Sequence, residues 1–155
     1  KAIEKVHQSL QDSDDITHIN LKSYVRDILS SVFQSSMVRD VTVENNVPDI
    51  SVQTAAALPL GLIINETATN ALQHGFTGQA GPRFTVALEQ DANDNEYVLT
   101  ISNTGQPFPE DADIENSPGL GLQLVSALVS QLHGTLDLQR KPQPLFTIRF
   151  PMSLA

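Results

Sequence analysis

Between Leu21 and Phe33 apolar residues recur every three or four positions, at Leu21, Tyr24, Val25, Ile28, Leu29 and Phe33. That stripe predicts an amphipathic helix with Asn20 as its N-cap. Ile3, Val6 and Leu10 repeat the same spacing in a shorter segment from Lys1 to Leu10, and the polar run QDSDDITHIN separates the two. VTVEN alternates and predicts a short strand closed by Val47-Pro48-Asp49, and SVQTAAAL reads as a strand or as the approach to the next helix. A long helix is expected over Leu60 to Gln73, with Gly75 as its C-cap. RFTVALEQ and EYVLTISN alternate on either side of DANDN, a hairpin signal. A second helix in LGLQLVSALVSQLH ends at Gly134, and TLDLQR and LFTIRFP close the chain as strands parted by KPQP. The acidic, proline-rich run TGQPFPEDADIENSPG carries no period, and a connection of that length inside a domain is usually a functional lid or a disordered piece. Strands mixed with a few helices predict a two-layer α/β sandwich.

The helix LGLIINETATNALQHGF breaks its own pattern. Glu66, Asn70 and His74 are four apart and share one face, with Asn65 beside them, while Ile63, Ile64, Ala68, Ala71 and Leu72 lie largely elsewhere. A solvated face flanked by a core is the plain explanation. The chemical one is a magnesium and phosphate site, in which an amide oxygen is a hard ligand and a carboxylate accepts a proton. Further on, SPGLGLQLV puts Gly119 and Gly121 at a helix start, where backbone N–H groups attract phosphate. A Gly-x-Gly pair alone is a weak signal, because loop-to-helix turns use glycine for steric reasons.

Composition narrows the choice. The chain has 155 residues and 18 acids against 9 Lys and Arg, a formal net charge of −9. Such a surface repels nucleic acid and anionic lipid, so neither is expected as a partner. No apolar run is long enough to span a bilayer. With no cysteine, disulfides, thiol catalysis and Cys-based zinc sites are excluded. The chain begins at Lys1 and not at methionine, which reads as a piece of a longer polypeptide.

In order along the chain, NETATNALQH resembles the N-box of the sensor histidine kinases and GLGLQLV their second glycine box. The N-box form resembles that of the HisKA_2/HWE-like subgroup, Asn-Glu-x-x-Thr-Asn-Ala-x-x-His. The N-terminal KAIEKVHQSLQDSDDITHINLKSYVRDIL is similar to that subgroup's linker into its ATPase domain. The resemblance implies the Bergerat fold, the ATP-binding sandwich shared with gyrase and mismatch-repair ATPases: a mixed, mostly antiparallel sheet with helices on one face. It implies that residues 1–34 end a dimerisation hairpin and linker helix, and that residues 35–155 form the ATP-binding domain. By the same resemblance Asn70 holds Mg²⁺, Glu66 is the general base, and Asn65 and His74 line the phosphate end. Gly119, Leu120 and Gly121 present backbone to the phosphates of ATP, and residues 108–118 form a lid. The implied activity is transfer of the ATP γ-phosphate to a histidine. The implied partners are a response regulator and a second copy joined through upstream helices, and the implied location is cytoplasmic, with a parent that is free to be membrane-anchored.

The pattern departs from the family at several positions. In the first glycine box, normally Asp-x-Gly-x-Gly, NTGQP has Asn103 for the adenine-binding Asp, keeps Gly105, and has Pro107 for the second glycine. Gln143 and Pro144 replace a Gly-Thr before the last strand, and Gln73 stands where Lys is common. An amide accepts a hydrogen bond without the charge assistance of a carboxylate, which implies nucleotide affinity weakened by on the order of 1 kcal/mol. The competing reading is a degenerate binding module that kept the fold and lost ATP. KVHQSLQ lacks the subgroup's acceptor motif, so neither His7 nor His18 is the expected phosphoacceptor, which is placed upstream of Lys1.

Overall fold

The computed structural model describes residues 17–38, 40–76, 81–107 and 120–155, with the backbone alone at 74, 75 and 120. The expected helix over Lys1 to Leu10 and the lid over 108–118 lie outside these residues.

Strand β1 (His18–Asn20) leads into helix α1 (Leu21–Gln34). The Asn20 side chain accepts a hydrogen bond from Ser23 N at 2.9 Å, so the predicted cap is in place. Its Nδ2 also donates to Asp49, and Leu21 N donates to Ile50 O at 2.8 Å, which ties the helix start to the segment before the third strand. A cap of this kind contributes about 1 kcal/mol, whereas burying one large aliphatic side chain contributes about 1.5–3. The buried face of α1, made by Leu21, Tyr24, Val25, Ile28, Leu29 and Val32, therefore dominates its placement. These six residues belong to the same core cluster as the main sheet.

Strand β2 (Thr42–Asn46) and strand β3 (Ser51–Gln53) precede helix α2 (Thr54–Asn70). The segment SVQTAAAL is thus both things expected of it: β3 pairs antiparallel with β1, and its last five residues open α2. α2 begins six residues before the expected Leu60 and carries Pro59 inside it. A proline there removes one backbone hydrogen bond. Buried Ala56, Ala57 and Leu60 on either side offset that cost by anchoring the first turns in the core. After Asn70 the backbone widens into a π turn over Ala71–Gly75, and Phe76 N closes it on Ala71 O at 3.2 Å. The cap expected at Gly75 therefore falls on Phe76, a buried ring that fixes the exit of the chain.

Strands β4 (Arg83–Asp91) and β5 (Glu96–Asn103) form the predicted hairpin, helix α3 spans Leu120–Gln131, and β6 (Thr135–Gln139) and β7 (Leu145–Pro151) close the fold. The main sheet runs β2-β4-β5-β7-β6, with β2 parallel to β4 and every other pair antiparallel. This is the mixed, mostly antiparallel sheet of the expected sandwich. Its inner face stacks Val86, Ile101, Phe146 and Leu138 in one row across the strands, and Leu88, Leu99, Ile148 and Leu136 in the next. α2 packs against both α1 and α3, which explains why most of its circumference is apolar. None of the described helices is long and apolar enough to cross a membrane.

The Tyr24 side chain of α1 packs on α2 at Gly61. A Cβ built at Gly61 would meet the Tyr24 hydroxyl at 2.5 Å and its ring at 2.8 Å, so only glycine admits the ring. The hydroxyl is buried and has no hydrogen-bond partner among the described residues. Burial also raises its pKa above the ordinary tyrosine value. The neutral form is thus favoured by folding, and this contribution is complete below pH about 10 and lost as pH rises above it. Replacing Tyr24 by Phe removes an unsatisfied buried group, and the expected gain is about 1 kcal/mol in urea unfolding, with a flatter stability profile above pH about 10. An unchanged or lower stability would contradict the assignment. Gly61→Ala is expected to lose about 1 kcal/mol, as overpacking outweighs the helix propensity gained.

Candidate active site

The sequence singles out polar residues on a helix that the core surrounds on most sides. In α2, Ile63, Ile64, Thr67 and Ala68 are fully buried, and Glu66 and Asn70 lie half-buried one turn apart on the remaining strip. Thr67 settles its hydroxyl on Ile63 O at 2.9 Å and Ile64 O at 3.0 Å, so this polar residue is structural. Glu66 and Asn70 instead face the start of α3. A Cβ at Gly121 would lie 2.8 Å from Glu66 Oε1, 3.3 Å from Asn70 Nδ2 and 3.6 Å from Asn70 Oδ1. Backbone, carboxylate and carboxamide therefore converge on one point, in a cradle that any side chain at 121 would fill. An amide oxygen and a carboxylate are the hard oxygen donors that suit Mg²⁺, and a helix start supplies N–H groups for phosphate oxygens.

Asn103 forms a second polar position. The alternation of β5 turns Tyr97, Leu99, Ile101 and Asn103 to the helix-covered face, where the first three are core. Asn103 is 8% exposed and pairs in register with Phe84. Its Nδ2 donates to Thr104 O at 2.9 Å. Thr104 is itself fixed to the next strand: its N–H donates to Arg83 O at 2.9 Å, and its hydroxyl accepts from Arg83 N at 2.9 Å. The chain then leaves the sheet through Gly105 at φ 116°, a conformation that favours glycine. Thr104 went unremarked in the sequence, because a threonine beside a glycine carries no pattern that announces an orienting carbonyl.

Asn65 does not join this cluster. It lines an open groove of about 440 Å³ with Ser31, Val32, Ser35, Met37 and Thr69, between the end of α1 and the far side of α2. The backbone puts His74 in the π turn and Leu120 at the first position of α3. The side chains of His74 and Leu120, and Gly119 altogether, lie outside the described residues. Among those residues no group of three or more His, Cys, Asp or Glu side chains is gathered for a metal. Any ion at the cradle would therefore complete its shell with water and phosphate oxygens, as Mg²⁺ commonly does.

A mixed sheet with helices on one face brings a carboxylate and a carboxamide onto a helix start, the arrangement expected of the ATP-binding sandwich. Comparison with known proteins places it more closely. Residues 55–154 match the histidine kinase-, DNA gyrase B- and HSP90-like ATPase family, and the chain belongs to that family. It is 35% identical over 101 residues to a blue-light-activated histidine kinase of Erythrobacter litoralis, covering 64% of this chain and 28% of that protein. It is 30% identical over 140 residues to the sensor histidine kinase PdtaS of Mycobacterium tuberculosis, covering 89% of this chain and 28% of the relative. The chain thus spans 28% of the length of either relative. Among solved structures, the histidine kinase domain of an Erythrobacter litoralis blue-light activated histidine kinase superposes with a TM-score of 0.85 at 26% identity, covering 98% of this chain and 72% of that one.

The cradle predicts a separable effect of Gly121→Ala. The new methyl meets the far end of a flexible carboxylate, not backbone, so Glu66 swings aside and the fold survives. The expected result is a melting temperature within a few degrees of the parent's and at least about tenfold weaker Mg-ATP binding, close to 1.4 kcal/mol. Parental affinity in the variant would show that the α3 start and Glu66 do not share a ligand.

Proposed function

We propose that this chain is the ATP-binding catalytic module of a two-component sensor histidine kinase. The observation that carries the proposal is the convergence of Glu66, Asn70 and the Gly121 backbone. Asn70 would hold Mg²⁺ through Oδ1, with His74 toward the phosphate end. When bound, Mg²⁺ would neutralise charge on the triphosphate. The backbone at Leu120 and Gly121, which opens α3, would offer N–H donors to phosphate oxygens, a role the motif extends to Gly119. Glu66 accepts the proton that leaves the acceptor imidazole as its nitrogen takes the γ-phosphoryl group and ADP departs. Asn103 receives the base at the end of β5, and Gly105 turns the chain out of its way.

In the parent protein the acceptor histidine would lie outside this chain, on a helix of a dimerisation hairpin that residues 1–34 finish. α1 would then serve twice, as the end of that linker and as a wall of the domain core. The phosphoryl group would pass on to a response regulator in the cytoplasm. The net charge of −9 disfavours a direct role at nucleic acid or anionic lipid.

Two substitutions separate binding from chemistry. In calorimetric titration Asn70→Ala is expected to abolish Mg-dependent ATP binding, and undiminished binding would remove the metal role. In the full-length kinase Glu66→Gln is expected to bind Mg-ATP within about threefold of the parent and to lose phosphoryl transfer by about 100-fold or more, the range of general-base removal. Full transfer activity would place the base elsewhere.

A further inference from the structure

Two polar side chains, Thr67 and Asn103, are buried among the described residues. Thr67 is satisfied within its own helix. Asn103 interrupts an apolar stripe of β5, and among the described residues its amide makes one hydrogen bond, from Nδ2 to Thr104 O at 2.9 Å. A carbonyl there admits only an N–H, so it fixes which end of the amide is which. What remains is the oxygen and a second N–H: an acceptor and a donor on one neutral group. Oδ1 has no partner among the described residues and is not one of their buried unpartnered atoms, so it stays open to solvent and to a ligand.

Resting on the nucleotide reading of this site, we propose that Asn103 makes it tolerant at the 6-position of a purine. Oδ1 accepts from a 6-amino group, and the second Nδ2 hydrogen donates to a 6-oxo group. The substrate class is then purine nucleoside triphosphates of either kind. A carboxylate at 103 offers acceptors only; it would set a negative charge against the lone pairs of a 6-oxo group and reject it. Thr104 is a positioning residue, since its carbonyl holds the amide and touches no ligand.

ITP is the appropriate probe, because it carries a 6-oxo group without the 2-amino group that guanine adds. Mg-ATP and Mg-ITP are titrated calorimetrically into the parent chain and into Asn103→Asp. The parent is expected to bind ITP within about tenfold of ATP, and Asn103→Asp to widen that ratio by at least about tenfold through loss of ITP. ATP bound with ITP more than tenfold weaker in the parent overturns the inference and leaves the nucleotide reading standing. A ratio unchanged in Asn103→Asp also overturns it. Binding of neither nucleotide removes both. Should the aspartate variant fail to fold, the parent's ITP-to-ATP ratio decides alone.

Discussion

The closeness of α3 to α2 governs this molecule. At Gly121 the two helices approach until a methyl group would stand 2.8 Å from a carboxylate oxygen of Glu66. Contact this tight between a helix start and a polar strip has no use in a core, where apolar side chains would interdigitate instead. Here it brings a carboxylate, a carboxamide and the first turn of a helix to one place. Phosphate chemistry needs all three, and no one of them binds a triphosphate alone.

The rest of the fold holds that approach fixed. α2 lies between α1 and α3 and against the sheet, so its rotation about its own axis is set by Ala57, Leu60, Ile63, Ile64 and Ala68, all almost wholly buried. Turning α2 by a third of a turn would bury Glu66 and expose Ile63. Burying an unpaired carboxylate costs several kcal/mol, which makes the observed orientation the only affordable one. Tyr24 on Gly61 sets the α1–α2 spacing, and the Phe33–Phe84 pair, with centroids 5.4 Å apart, joins α1 to the sheet. On the opposite layer the alternation of β5 delivers Asn103 to the inner face, and Thr104 locks its amide.

Much of this was legible in the residues. Period-two alternation marked β4 and β5 because one face of each is core and the other is not. The stripe from Leu21 to Phe33 and the cap at Asn20 marked α1 because both signals are local. The polar strip of α2 was readable because Glu66 and Asn70 contradict their apolar neighbours. What escaped was non-local. Pro59 argues against a helix in any local reading, and only burial of Ala56, Ala57 and Leu60 overrides it. The π turn at Ala71–Gly75 follows from how Phe76 packs. The parallel pairing of β2 with β4 depends on the crossover through α2, which no window of neighbouring residues contains. Asn65 sits beside Glu66 in sequence, yet one helical step carries it to the groove beside Ser31 and Met37.

The central claim is that the strip of α2 and the first turn of α3 form a single ligand site. An NMR titration of the isotope-labelled chain with Mg-ATP tests it most directly, following the backbone amide of Gly121 and the side-chain amide of Asn70. The account predicts that both signals shift and that both fit one dissociation constant. Signals that stay still at Gly121 and Asn70, while those of Ser31 to Met37 move, would contradict it and assign the ligand to the groove on the other side of α2.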